Sequence, residues 1–464
     1  MTYKLPTREI EPARLASSRS HQIPGKLIVT ELFFDVPLDH LDPGRERIRI
    51  FCRSARKLDR PAAARSSGSE DEPPWFVFIT GGPGFGSPPP QNMMRLTTEV
   101  LERGYQLLCL DHRGMGLSTP ATAATITAKG TPEDQAAYLK YFRADNAVRD
   151  LEAIRKCLTT SYPEHKKKWT ILGTSYGGYL CLTYLSFHSE GLREVFISAG
   201  AGPVSQSVPD EPIRRLFKKV KERNGKYYAK YPEDKANVYN VLEFISHSNN
   251  NILLPSGDAL TVNRFLEMGL FFGFHGGLDQ VHHIVLRAVN DIELFGYLTR
   301  PTLSEIENMS WFNNQPLYAL LHGSVYAQKN APNWVFDRIS KEFPDFRSGL
   351  HPDGTLFTGE MVFRSAFENY GELKSLGAAA ELLEKNTEWP PLYDLEQLQR
   401  NEVPVYAAIF VDDMYVDFEF SRETAAMVRG CKSFITNSLY HDAIRSRCEE
   451  LLKRLFALRD DTLD

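Results

Sequence analysis

Three short runs in this chain are apolar on both faces of an extended backbone, and each stops at a glycine-bearing turn. Trp75-Phe76-Val77-Phe78-Ile79 meets Thr80-Gly81-Gly82-Pro83-Gly84, residues 105–110 meet Asp111-His112-Arg113-Gly114, and Trp169-Thr170-Ile171-Leu172 meets Gly173. A strand that is apolar at nearly every position has no face to offer water, so it must lie in a sheet covered on both sides. The intervening segments are long enough for helices. Residues 143–158 place Ala147, Val148, Leu151, Ile154 and Leu158 on one helical face. The pattern predicts an α/β fold with a mainly parallel, doubly wound sheet. Residues 195–198, 403–411 and 433–436 read as further strands, and 448–458 as a closing amphipathic helix.

Ahead of the first run, a polar arm leads into residues 26–37 and 47–53, which read as an antiparallel pair joined by a Pro/Asp/Gly turn. Residues 57–74 carry Pro61, Ser66-Ser67-Gly68-Ser69 and an acidic cluster, the composition of a solvated loop. Between the fourth and fifth buried strands lie about 190 residues rich in Phe, Tyr and Asn without a clean strand pattern. The expected organisation is a core over 1–205 and 401–464, interrupted by a large, mainly helical inserted cap over 206–400. A chain of 464 residues has ample material for this.

Charge narrows the partners. Lys and Arg number 54 against 59 Asp and Glu, a net charge of −5 that gives no electrostatic case for nucleic acid or an anionic membrane. No apolar run reaches membrane-spanning length, so a soluble protein is expected. The six cysteines are scattered without a C-x-x-C pair, which disfavours a zinc site or a disulfide framework. The charged first residues hold no apolar signal core, and the expected location is cytoplasmic.

The chemistry concentrates at Gly173-Thr174-Ser175-Tyr176-Gly177-Gly178, a Gly-x-Ser-x-Gly directly after a strand and before a helix-compatible stretch. On so tight a turn a serine hydroxyl is pushed into the open, where it can act as a nucleophile if a base and an orienting acid reach it. In such sheets the order is Ser, acid, His. His441 alone among the twelve histidines lies beyond the last long strand. Asp412, Asp413 and Asp417 follow the strand at 403–411, and spacing does not separate the adjacent pair. Glycines at 81, 82 and 84 let backbone approach a substrate closely, so the amides of Gly82 and Tyr176 are the expected oxyanion donors. Neither a Gly-Lys-Ser/Thr ending nor a G-x-G-x-x-G register is present there, which sets nucleotide binding aside. This chemistry requires no metal or organic cofactor.

These blocks resemble the prolyl aminopeptidase (proline iminopeptidase) family of α/β-hydrolases, in its longer microbial and fungal-type branch. Gly81-Gly82-Pro83-Gly84 is similar to the family's oxyanion motif, and Asp111-His112-Arg113-Gly114-Met115-Gly116-Leu117-Ser118 to its Asp-x-Arg-Gly-x-Gly-x-Ser turn. Phe357-Thr358-Gly359-Glu360-Met361-Val362 and Asp413-Met414-Tyr415-Val416 resemble further blocks, the second pointing to Asp413 as the acid. The resemblance implies an α/β-hydrolase fold, a serine hydrolase with Ser175, Asp413 and His441 as triad, and release of N-terminal residues such as proline from short peptides. It also implies cap carboxylates that bind the substrate amine. In Leu320-Leu321-His322-Gly323-Ser324-Val325-Tyr326 the family usually has Glu after the His, and here Gly323 stands there. Glu360 remains as the substrate-binding carboxylate, its plainer reading being a helix-start or salt-bridge glutamate.

The aromatic stretch Gly269-Leu270-Phe271-Phe272-Gly273-Phe274-His275-Gly276-Gly277 reads either as cap core or as an apolar substrate wall. With Gly323, it frames the alternatives: a repurposed hydrolase of a neutral ester, lactone or amide, or a non-hydrolytic descendant that transfers acyl groups, cyclises or only binds.

Overall fold

The computed structural model describes residues 9–58, 72–249, 251–346 and 349–460. Most of the solvated loop expected at 57–74, residues 59–71, lies outside the described residues. The chain opens with three antiparallel strands, β1 (Arg14–Ile23), β2 (Leu27–Pro37) and β3 (Arg47–Lys57). Six more follow: β4 (Trp75–Ile79), β5 (Gln106–Leu110), β6 (Trp169–Thr174), β7 (Leu192–Ser198), β8 (Val405–Phe410) and β9 (Cys431–Thr436). All nine form one sheet in the order β1-β2-β3-β5-β4-β6-β7-β8-β9. β3 meets β5 antiparallel, and every neighbouring pair from β5 to β9 is parallel.

Strand burial follows from cover on both faces. β4, β5, β6 and β8 are buried at every position. Along β4 the side chains alternate: Phe76 and Phe78 join a cluster with Val100, Leu451 and Phe456, whereas Trp75, Val77 and Ile79 join another with Leu151, Ile154 and Leu180. Helices Met94–Glu102 and Cys448–Arg459 therefore cover one face, and Ala144–Leu158 and Tyr176–Phe187 the other.

Two elements differ from the sequence expectation. The polar N-terminal arm forms β1, although nine of its ten residues are exposed. Its backbone pairs with β2 along the strand, from Arg14 opposite Asp35 to Ile23 opposite Leu27, so the strand needs no buried face of its own. The helix Ala144–Leu158 is buried all round from Ala144 to Arg155, not on one face. Its charges are paired inside: Arg113 with Asp150, Arg155 with Glu152, and Arg143 with Asp145.

Between β7 and β8 the ordered elements among the described residues are helices joined by irregular segments, the longest being Asp210–Lys230 and Gly277–Phe295, with one isolated bridge at Leu253 and Ala259. The site is set by the strand order. From β4 the chain crosses to β5 on one side, and from β6 to β7 on the other. The crevice opened where the order reverses lies at the carboxyl ends of β4 and β6, which bear Thr80–Gly84 and Ser175.

Candidate active site

Ser175 follows β6 at φ +54° and ψ −126°, a conformation that costs a non-glycine residue about 1–3 kcal/mol. Close packing around it holds the turn. A Cβ on Gly173 would meet the Gly177 carbonyl oxygen at 2.2 Å, one on Gly177 the Ile79 oxygen at 2.2 Å, and one on Gly178 the Gly200 Cα at 2.6 Å. The Ser175 amide donates to the Ser198 carbonyl at 3.0 Å, tying the turn to β7.

His441 sits in the loop after β9 and is 9% exposed. Its Nε2 lies 2.8 Å from Ser175 Oγ, and its Nδ1 lies 2.9 and 3.0 Å from the two Asp413 carboxylate oxygens. A carboxylate beside Nδ1 holds the proton there, which leaves Nε2 free to accept the serine hydroxyl. Burial works to lower the His441 pKa, but the Asp413 charge and hydrogen bond, with the charges of Glu360 and Asp442, outweigh it and raise the pKa above 6.5. Asp413 is itself held by the amides of Tyr415 and Val416, which donate to Oδ1 at 2.8 and 3.0 Å. The other two aspartates are used elsewhere. Asp412 pairs with Lys226 at 2.9 Å, and Asp417 caps the helix Phe418–Met427 and pairs with Arg215.

The glycine turn after β4 faces the serine. A Cβ on Gly81 would stand 2.9 Å from Ser175 Cβ, so only glycine allows this approach. The amides of Gly82 and Tyr176 enter no backbone hydrogen bond among the described residues, and Tyr176 opens the helix Tyr176–Phe187. By contrast, the Asp111–Ser118 turn is scaffolding. Asp111 accepts from the Ser87 and Leu117 amides, and the fully buried Arg113 bonds Asp150 and the carbonyls of Pro37, Leu38 and Tyr141.

Ser175 and His441 open into a cavity of about 280 Å³. Gly81 and Gly82 line it from the sheet side, while Phe271, Phe274, Trp311, Tyr318 and Glu360 line it from the helical segment. Phe85, Trp311 and Tyr318 pack edge to face, with centroids 5.2–5.8 Å apart. Phe274 stacks on Tyr415 at 5.2 Å, and Tyr415 lies 4.3 Å from the His441 ring. The aromatic stretch 269–277 thus contributes to both core and wall, Phe272 being buried and Phe271 and Phe274 facing the cavity. Trp311 and Tyr318 escaped the sequence reading because single aromatics in a helical insert look like core, and Phe85 because it stands outside any apolar run, in the glycine-rich turn after β4.

Glu360 accepts a hydrogen bond from the Tyr318 hydroxyl, and its carboxylate lies 3.9 Å from His322 Nε2. Burial pushes its pKa up to about 7, and drives His322 down to about 4, so the histidine is a neutral neighbour. Gly323 is buried, and a Cβ there would meet Glu384 Oε1 at 2.4 Å. Glu384 also accepts from the Trp334 amide, and burial lifts its pKa to about 7. Among the described residues, Glu233, Asp234 and His282 have metal-like spacing, but Asp234 already takes bonds from Tyr227, Asn237 and His282. No helix of the described residues is long and apolar enough to cross a membrane.

Comparison with known proteins gives the family. The family model described as alpha/beta hydrolase fold matches residues 74–244. The proline iminopeptidase aneH of Aspergillus aculeatus is 40% identical over 458 residues, which is 98% of this chain and 99% of its own. The proline iminopeptidase of Aeromonas sobria is 36% identical over 430 residues, 92% of this chain and 96% of its own. The crystal structure of a Mycobacterium smegmatis proline iminopeptidase, 14% identical, covers 92% of this chain and 97% of that one at a TM-score of 0.39. Full-length identity at this level makes the chain a member of the proline iminopeptidase family of α/β hydrolases.

Proposed function

We propose that this hydrolase is a serine-type prolyl aminopeptidase that releases N-terminal proline from short peptides. The observation that carries the reading is the hydrogen-bonded line Ser175–His441–Asp413, ending in a cavity that the Glu360 carboxylate lines among aromatic rings. The protonated pyrrolidine nitrogen binds Glu360, and the ring rests against Phe85, Trp311 and Tyr318. Ser175 Oγ then bonds to the prolyl carbonyl carbon as its proton passes to His441 Nε2. The carbonyl oxygen becomes an oxyanion held by the Gly82 and Tyr176 amides. Collapse breaks the C–N bond, and the leaving nitrogen takes the proton from His441. Water repeats the sequence: His441 removes its proton, its oxygen bonds to the acyl carbon, and the proton returns to Ser175 as free proline leaves. In this reading residues 1–205 and 401–464 are the core and 206–400 the cap that supplies the amine-binding wall.

A prolyl arylamide set against a nitrophenyl ester without an amine tests it. The expected result is turnover of the prolyl arylamide with a higher kcat/KM. An enzyme that hydrolyses only the ester contradicts the reading.

A further inference from the structure

The cavity has two unlike ends. At one, Trp311, Tyr318 and Glu360 also bound a small inner crevice among the helices of the insert. At the other, Arg445 lines both the cavity and a surface hollow of about 590 Å³. That hollow carries Arg95, Arg445, Arg447, Lys453 and Arg454 against two carboxylates, Glu449 and Glu450. Glu449 is engaged by Arg95 at 3.1 Å. Asp442, at the same end of the cavity, is occupied by the amide and Nδ1 of His275 at 3.0 and 2.6 Å. The Arg445 guanidinium is exposed and has no carboxylate partner among the described residues. The helix Cys448–Arg459 also begins at this hollow, with no side chain capping its first amides, which adds to the positive potential.

Which end takes which half of a substrate follows from the proton path. His441 delivers its proton to the leaving nitrogen, so the leaving group lies on the imidazole side of the serine. Asp442, Ile444 and Arg445 line the same cavity and come within four residues of His441 in the chain, which assigns them to that side. The amine end is the Glu360 end. An unpaired guanidinium at the exit of the leaving group presents a planar fork of donors that fits a carboxylate.

We propose that Arg445, backed by the cationic hollow, binds a carboxylate on the leaving group, the C-terminal carboxylate of a di- or tripeptide. The proposal rests on the aminopeptidase reading above and assigns it a substrate class: short peptides with a free C-terminus, gripped at both ends by opposite charges.

The experiment measures kcat/KM for Pro-Ala and Pro-Ala-Ala, each against its C-terminal amide, in the wild-type enzyme and in Arg445→Gln. The expected acid-to-amide ratio is about fivefold in the wild type at low salt for at least one pair, as one solvent-exposed ion pair allows. It falls to within about twofold in the variant and shrinks in the wild type as salt is added. A ratio that Arg445→Gln does not move overturns the proposal while leaving the aminopeptidase reading intact. Absence of turnover for every prolyl substrate overturns both. A preference seen only for Pro-Asp-amide over Pro-Asn-amide overturns the C-terminal assignment, since the carboxylate recognised would then be a side chain.

Discussion

At the scale of single residues, Gly323 shows how a glycine is fixed by its surroundings. The space beside it holds the buried Glu384 carboxyl, 2.4 Å from where a side chain would start. Introducing by Gly323→Glu the glutamate that the resemblance leads us to expect therefore forces volume and a second carboxylate against Glu384. Overpacking of this kind costs about 1–3 kcal/mol. The variant is expected to unfold at lower urea concentration than the wild type, and Glu384→Ala in the same chain to recover part of the loss. Equal midpoints for the wild type and Gly323→Glu would show that the position tolerates a side chain. Residue-scale legibility was uneven. Ser175 and His441 were readable because a glycine-flanked serine after a strand, and a lone histidine after the last one, leave few alternatives. Asp412 and Asp413 are neighbours of one type, and what separates them is the turn that aims the Tyr415 and Val416 amides at Asp413.

Among the elements, the helix Ala144–Leu158 is held by charge as much as by apolar contact. Asp150 is fully enclosed and accepts from Arg113 Nε and Nη2 at 2.7 and 2.6 Å and from His40 at 2.8 Å. Burial works to raise its pKa, but the Arg113 charge and the His40 and Arg113 hydrogen bonds prevail and hold it below 3.8. A depressed carboxylate contributes stability above pH 3.8 that is lost as pH falls through the lower folded value. Asp150→Ala leaves Arg113 buried without its partner, a change expected to cost about 3–5 kcal/mol in denaturant unfolding at neutral pH. A loss under about 1 kcal/mol would mean that the carbonyls of Pro37, Leu38 and Tyr141 satisfy Arg113 alone. The sequence reading found this helix by its period but gave it one buried face, because an apolar period carries no sign that charged residues pair in the interior. It missed β1 for the converse reason. An exposed edge strand has no apolar alternation to betray it, only backbone pairing with β2.

For the whole molecule, the buried parallel strands were legible because a sheet covered on both faces demands continuous apolar runs. Most of the cavity wall was not, because Phe85, Trp311 and Tyr318 come from separate parts of the chain and join Glu360 and the stretch 269–277, both named from sequence, only when the helical segment folds over the sheet. The central claim joins these scales: distant stretches bring an imidazole to the serine with a carboxylate behind it. It has a pH signature. A His441 pKa raised above 6.5 keeps the imidazole protonated, and unable to accept the serine proton, until pH exceeds that value. The most direct measurement is the rate at which an amine-free fluorophosphonate labels Ser175 as a function of pH. The account predicts labelling at Ser175 that rises with a single-proton limb above pH 6.5 and is lost in His441→Ala. Labelling elsewhere, or a rate at Ser175 that is independent of both pH and His441, would contradict it.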